Sequence, residues 1–224
     1  MAKNKLRKFA EINTFSHVIQ PPIEELKKGF YLKGKWKESF FKNNNPLVLE
    51  LACGKGEYSI ELGRQYPNKN FIGIDIKGAR IWSGAKQALE EDLKNVGFLR
   101  SRIEFIEYCF SKGEVDEIWI IFPDPHKKKG SANKRLTHNN FLSKYYNILK
   151  EDGTIHLKTD DIDLYQFTLD TISENKYSLI EKTSNLYEDK NLTEKHFGVR
   201  THYENIFLNQ GKNITYIKFL LHPS

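Results

Sequence analysis

Pro46-Leu47-Val48-Leu49-Glu50-Leu51-Ala52-Cys53-Gly54-Lys55-Gly56-Glu57-Tyr58 is the stretch that decides the fold of this 224-residue chain. It reads as a short apolar strand, a carboxylate near the strand end, a glycine turn and a helix opening at about Glu57. That succession is the first unit of a nucleotide-binding α/β domain. Gly54 and Gly56 lack a Cβ, so the turn can be tight and a ligand can approach the backbone. The N–H groups of the first helical turn have no partner inside the helix and point at the same space.

Three ligand readings compete for this turn, beside a bland fourth in which it merely joins strand to helix. A dinucleotide fingerprint expects a third glycine three residues after Gly56, where Ser59 stands. A Walker-type phosphate loop expects Gly-Lys-Ser/Thr, but Gly56 follows Lys55. A site for S-adenosylmethionine (AdoMet) pairs an acid at the strand end with Gly-x-Gly, and Glu50 before Gly54-Lys55-Gly56 has that form.

Beyond this unit, strands and helices alternate. Asn70 to Ile76 is an apolar run holding Asp75. Ala79 to Leu93 carries Ile81, Trp82, Ala85, Ala88 and Leu89 on one helical face. Val96 to Leu99 reads as a strand, with a helical stretch to Phe110. Asp116 to Phe122 is almost wholly apolar, hence a central strand. Thr137 to Lys150 reads as a helix, Gly153 to Lys158 as a strand, and Asp161 or Asp163 opens the next helix. Tyr177 to Thr183 and Ile214 to Leu221 complete the strands. The pattern predicts an α/β fold, a Rossmann-like, doubly wound and mostly parallel seven-stranded sheet. The short crossover before the last strand predicts that it runs antiparallel at the edge, an ending typical of class I methyltransferases.

Composition bounds the rest. Hydrophobic residues make up 39% and charged residues 29%, as in ordinary globular chains. No apolar run reaches membrane-spanning length and the N-terminus lacks a signal core, so no membrane association and a cytoplasmic location are expected. Cys53 and Cys109 show no metal or disulfide spacing, so no metal is expected. The net charge of +6 lies wholly in residues 1–42, with ten Lys/Arg against four Asp/Glu, while residues 43–224 are balanced. We therefore divide the chain into a basic arm, 1–42, and a domain, 43–224. Residues 1–20 are expected to be mobile. The arm's charge suits either a polyanion such as nucleic acid or simple solubility. Its aromatics, Phe30, Tyr31, Trp36, Phe40 and Phe41, suit either base stacking or docking onto the domain.

Ligands of such sheets bind beyond the carboxyl ends of the strands. Asp75 stands there, where an acid binds ribose hydroxyls. Arg102 follows the third strand, where an acceptor for an adenine amino group is common; a guanidinium cannot accept that hydrogen bond. Phe122-Pro123-Asp124-Pro125-His126 ends the central strand with a proline on each side of Asp124. Lys127, Lys128, Lys129, Lys134 and Arg135 follow without an intervening acid, which points to phosphates. In Lys158-Thr159-Asp160-Asp161 one aspartate is a helix cap and Asp160 is assigned to the crevice. Thr201-His202-Tyr203-Glu204 has the form of a capping box.

Glu50 with Gly54-Lys55-Gly56, Phe71 to Asp75, Phe122 to Pro125 with its lysine loop, Lys158-Thr159-Asp160 and Thr201-x-x-Glu204 together resemble the bacterial tRNA (guanine-N7-)-methyltransferases. The resemblance runs from about Leu47 to the C-terminus. It implies transfer of a methyl group from AdoMet to N7 of a guanosine in the variable loop of tRNA, with no metal. It also implies that no protein partner is required, the chain acting as a monomer or homodimer. Glu50, Gly54, Gly56, Asp75, Arg102 and Asp124 would bind AdoMet, with Asp124 also catalytic. Lys128, Asp160, Thr201, His202, Tyr203 and Glu204 would bind tRNA. The chain departs from the family at His126, where Trp is usual, at Gly130-Ser131-Ala132-Asn133, where Arg and His are usual, and at Arg102.

Overall fold

A computed structural model describes residues 2–128, 130–190, 192, 199 and 202–223. The described strands form one eight-stranded sheet in the order β1-β4-β3-β2-β5-β6-β8-β7. They are β1 (Val18–Ile19), β2 (Leu47–Leu51), β3 (Asn70–Asp75), β4 (Val96–Arg100), β5 (Val115–Ile121), β6 (Leu149–Thr159), β7 (Tyr177–Thr183) and β8 (Thr215–Pro223). The first six pair in parallel, and β8 pairs antiparallel with both β6 and β7. The helices that matter here are α1 (Ala2–Ile12), α2 (Ile23–Gly29), α3 (Glu57–Gln65), α4 (Gly78–Glu90), α5 (Ile106–Cys109), α6 (Asn139–Tyr146), α7 (Ile162–Glu174) and α8 (His202–Asn209).

Period-two alternation distributes the core over both faces of the sheet. Leu47, Leu49, Ile118 and Ile120 pack with Trp36 and Tyr145 on one face. Val48, Trp119 and Ile121 pack with Tyr58, Phe98 and Tyr216 on the other. Glu50 lies between Leu49 and Leu51 on β2, and so its side chain is turned to the Tyr58 face.

Three expectations are corrected. The sheet has eight strands, not seven, because Val18–Ile19 adds a short parallel pair to β4. The last strand is antiparallel but not at the edge: β8 inserts between β6 and β7, and β7 is outermost. Its residues are buried as an interior strand requires, with Tyr216, Ile217 and Phe219 fully covered. Residues 2–20, expected to be mobile, instead dock on the domain. Ile12, Phe15 and Val18 are buried in the Tyr58 face, because α1 has one apolar side that docks on α4. The arm's aromatics favour docking as well. Phe30, Trp36 and Phe41 are buried, the Trp36 indole donates to the Cys109 carbonyl at 2.9 Å, and only Tyr31 among these rings is largely exposed.

Candidate active site

The glycine turn is held from both sides. Cys53 N–H donates to the Ile74 carbonyl at 3.0 Å, which locks the turn to the end of β3. Ala52, Gly54 and Gly56 all have positive φ, of 55°, 58° and 71°. A Cβ on Gly54 would meet nothing within 4 Å, so its outer side is open to a ligand. Gly56 has the opposite reason to be glycine: a Cβ there would lie 2.4 Å from the Phe98 ring. It starts α3 and presses that helix against the core.

Glu50 is 7% exposed. Its Oε2 accepts from the Ser59 backbone N–H at 2.9 Å and from the Ser59 hydroxyl at 2.5 Å. Among the described residues Oε1 has no donor and is turned to a cleft lined by Gly54, Lys55, Tyr58, Arg80 and Phe122. Burial pushes the Glu50 carboxyl up to about 7, against the pull of the two Ser59 hydrogen bonds and with help from the Glu57 and Asp75 charges. Ser59 occupies the place of a missing third glycine, and its hydroxyl orients the carboxylate. The sequence offered it only as a departure from a fingerprint.

Asp75 is 7% exposed and grips the same turn. Its Oδ2 accepts from Gly54 N–H at 3.0 Å and its Oδ1 from Lys77 N–H at 2.7 Å. A carboxylate offers about four acceptor sites, so each oxygen keeps capacity for a ligand hydroxyl. Asp75 lines a second cleft with Arg102, Ile103, Glu104 and His126, and Ala52 belongs to both clefts. Arg102 is mostly exposed there, its Nε 3.8 Å from Glu104 Oε2.

Asp124 lines a third cleft, with Pro123, Asp160, Phe207 and Lys212. Phe122 and Arg80 line both this cleft and the one beside Gly54, so the three clefts adjoin one another along the strand ends. The Asp124 side chain is 75% exposed, and its Oδ1 accepts from His126 N–H at 3.0 Å. Phe122 and His126 both have φ of 46°. Such backbone costs about 1–3 kcal/mol per residue and gathers at functional sites. Phe122 N–H donates to the Lys158 carbonyl at 2.9 Å, which holds the turn in place.

Asp160 faces the third cleft and pairs with Lys212 at 2.6 Å. Asp161 is the helix cap, accepting from Leu164 N–H at 2.8 Å. In the basic loop, Lys127 is paired with Asp161 at 2.7 Å, and the Arg135 guanidinium lies 4.4 Å from the Phe167 ring centre. Lys128 is exposed, Lys134 faces the Asp75 cleft, and Lys129 lies outside the described residues.

Thr201 and the side chains of His202 and Tyr203 also lie outside the described residues. Glu204 is fully buried, in a 2.7 Å ion pair with Lys158, which is itself 1% exposed. The Tyr187 hydroxyl donates to the same carboxylate at 2.5 Å. The structure thus places Glu204 inside the protein rather than on the crevice wall. Reading the sequence missed Arg80 and Lys212, isolated basic residues in no motif.

The donor set fits AdoMet: an open glycine turn, a carboxylate with an unpartnered oxygen, and a second carboxylate at the next strand end. Among the described residues no group of three or more His, Cys, Asp or Glu is placed to hold a metal ion.

The family model described as "Putative methyltransferase" matches residues 44–217. The chain is 52% identical to the tRNA (guanine-N(7)-)-methyltransferase of Christiangramia forsetii, over 97% of this chain and 98% of that one. It is 48% identical to the protein of that name from Bacteroides fragilis, over 99% and 87%, and 38% identical to that from Cytophaga hutchinsonii, over the full length of both. Among solved structures, the 16S rRNA methyltransferase KamB superposes with a TM-score of 0.63 at 13% identity, over 83% of this chain and 92% of that one. The geranyl diphosphate C-methyltransferase of Streptomyces coelicolor A3(2), solved with S-adenosyl-L-homocysteine, superposes at 0.53 with 14% identity, over 84% and 78%. At those identities the likeness is one of fold.

Proposed function

The chain belongs to the bacterial tRNA (guanine-N7-)-methyltransferases, and from that membership we propose that it methylates N7 of a guanosine in the variable loop of tRNA, with Asp124 at the reacting centre. One observation carries the placement: the cleft beside Glu50 and Gly54 and the cleft beside Asp124 share Phe122 and Arg80. Donor and acceptor of the methyl group can therefore meet beside Phe122, where the two clefts adjoin.

When bound, AdoMet supplies an electrophilic methyl group on a sulfonium. Guanine N7 carries no proton, so no residue is needed to deprotonate the nucleophile, and positioning does most of the work. Glu50 and Asp75 shape the cofactor side. Glu50 offers Oε1 to a cationic group, and Asp75 offers its remaining acceptor capacity to hydroxyls. On the substrate side, Asp124 accepts hydrogen bonds from the guanine N1–H and amino edge and offsets the positive charge that develops on the ring. Its exposure suits a group that waits for a base to arrive. Phe122 presents a ring to a base drawn out of its stack. Asp160 and Lys128 flank the entry, and Lys128 is free to meet a phosphate. Arg102, unable to accept from an adenine amino group, is assigned to stacking on the ring. Gly54 leaves the approach open, and Gly56 fixes the helix start. Roles for Thr201, His202 and Tyr203 rest on the family resemblance. We assign the activity to the cytoplasm, as a monomer or homodimer.

The test is methylation of bulk tRNA with labelled AdoMet, followed by chemical mapping of 7-methylguanosine. Label in the variable loop supports the assignment; label at another guanosine or none refutes it.

A further inference from the structure

The described basic side chains of the first 42 residues divide into two groups. One is spent inside the fold: Lys37 pairs with Asp116 at 3.0 Å, and Lys33 donates to the Glu107 carbonyl at 2.7 Å. Arg7 and Lys8 of α1 are placed differently. Lys8 Nζ lies 4.3 Å from the centre of the Trp82 ring, the Arg7 guanidinium 5.5 Å, and Lys86 Nζ 5.3 Å. Three cations from two helices thus surround one half-buried indole. The nearby acids are few. Glu11 accepts from the Trp82 indole at 3.0 Å and lies 3.6 Å from Arg7, and the exposed Glu90 lies 3.8 Å from Lys86. Among the described residues Lys8 has no carboxylate partner.

Helix α4 links this cluster to the crevice, since it carries Arg80 as well as Trp82 and Lys86. At 100° per residue, Ile81, Gly84, Ala85 and Ala88 turn α4 inward. Trp82 and Arg80 then lie on its two flanks, and Ala79, Ser83, Lys86 and Glu90 face outward. Arg80 lines both the Glu50 cleft and the Asp124 cleft. Between Arg80 and Lys86 the outer surface is made of the short side chains Ala79 and Ser83. A phosphate backbone leaving the Asp124 cleft would meet Arg80 first and, across Ala79 and Ser83, Lys86, Lys8 and Arg7. Phe9, in the second half of α1, abuts Gly78 at the start of α4 and lies 4.9 Å from the Arg100 guanidinium, so α1 docks beside the N-terminal end of α4.

Resting on the tRNA reading above, we propose that the outer face of α4 and the docked helix α1 form a phosphate-backbone platform for the tRNA substrate. Arg7, Lys8 and Lys86 outnumber the adjacent Glu11 and Glu90, and a polyanion offsets the excess. Trp82 holds the ammonium groups in position through its ring face, so the platform is pre-arranged rather than assembled on binding.

The experiment compares wild type with Arg7→Ala/Lys8→Ala/Lys86→Ala and with Lys86→Glu in tRNA methylation across a salt series. The expected effect falls on KM for tRNA, about tenfold at intermediate salt in the triple variant, and not on the AdoMet affinity measured by titration. The slope of log KM against log salt should fall by about two to three for three lost phosphate contacts. Lys86→Glu acts from α4 alone, so it reads the platform even if the triple variant loosens α1. Wild-type slope and KM in both variants would overturn the proposal while leaving the methylation reading intact. Failure of the wild type to methylate tRNA overturns that reading and the platform with it. Loss of binding to phosphatidylglycerol vesicles with tRNA parameters unmoved would assign the face to a lipid surface instead.

Discussion

Replacing Glu50 with Gln tests the electrostatics of the glycine turn without changing its shape. The amide oxygen can accept both Ser59 donors, so the hydrogen bonds at Oε2 are kept. What changes is titration. Burial raises the Glu50 carboxyl from an ordinary 4.5 to about 7. Below pH 4.5 the group is protonated folded or unfolded and contributes nothing to pH dependence. Between 4.5 and 7 the folded chain retains a proton that the unfolded chain has released, so rising pH favours unfolding. Above about 7 the penalty is complete. At 1.36 kcal/mol per unit the shift corresponds to about 3 kcal/mol. Urea titrations of wild type and Glu50→Gln across pH 4.5 to 8 should diverge by about that amount, with the variant gaining. The cofactor side moves the other way. A cationic ligand favours ionised Glu50, so wild-type AdoMet affinity should fall up to tenfold per unit as pH drops below 7. In the variant it should be weaker and flat. A stability difference independent of pH, or an equally steep affinity profile in both proteins, would refute the reasoning.

Asp124→Asn should cut methyl transfer by at least a hundredfold, with the melting temperature unmoved because the side chain is exposed; tRNA retention on filters should persist. Gly56→Ala forces a Cβ onto a residue at φ 71° and into the Phe98 ring, and should cost about 2–4 kcal/mol in denaturant unfolding. Glu204→Ala removes the carboxylate 2.7 Å from the buried Lys158 ammonium and should cost about 3–5 kcal/mol, whereas Lys158→Met/Glu204→Leu should recover most of it. A Glu204→Ala protein of full stability but raised KM for tRNA would instead favour a direct contact.

Strands β2 to β5 and the second half of β6 were legible because each is a short apolar run with polar residues at or just beyond its end, and the chemistry of this fold class collects at those ends. Glu50, Asp75, Asp124 and Asp160 could be placed for that reason alone. The position of β8 was not legible: antiparallel direction follows from a short connection, but insertion between β6 and β7 is a matter of non-local pairing. Residues 1–20 were misread as mobile because charge dominates their composition. Ile12, Phe15 and Val18 recur at three-residue spacing, and that spacing carried the docking information. Arg80 escaped because a single exposed arginine in a helix matches no pattern until the helix is seen to border two clefts.

Glu204 shows how one side chain can satisfy a motif and serve a different end. Thr-x-x-Glu spacing marks a helix start, and family likeness points to RNA, yet the carboxylate is sealed against Lys158 and Tyr187. Lys158 is the residue whose carbonyl receives the Phe122 N–H, and the Phe122 ring lies 5.5 Å from Phe207 on α8. The ion pair therefore anchors α8 to the same strand end that holds the strained Phe122 turn. Moving α8 would move the wall of the Asp124 cleft and release the aromatic that separates it from the Glu50 cleft. A charge buried this deeply is weak evidence for stability, since an apolar pair of similar volume would serve as well. What the pair adds is a fixed orientation for α8 against β6. On this argument Glu204 positions the substrate side of the crevice relative to the cofactor side, and the double apolar variant should fold well while methylating poorly at saturating tRNA.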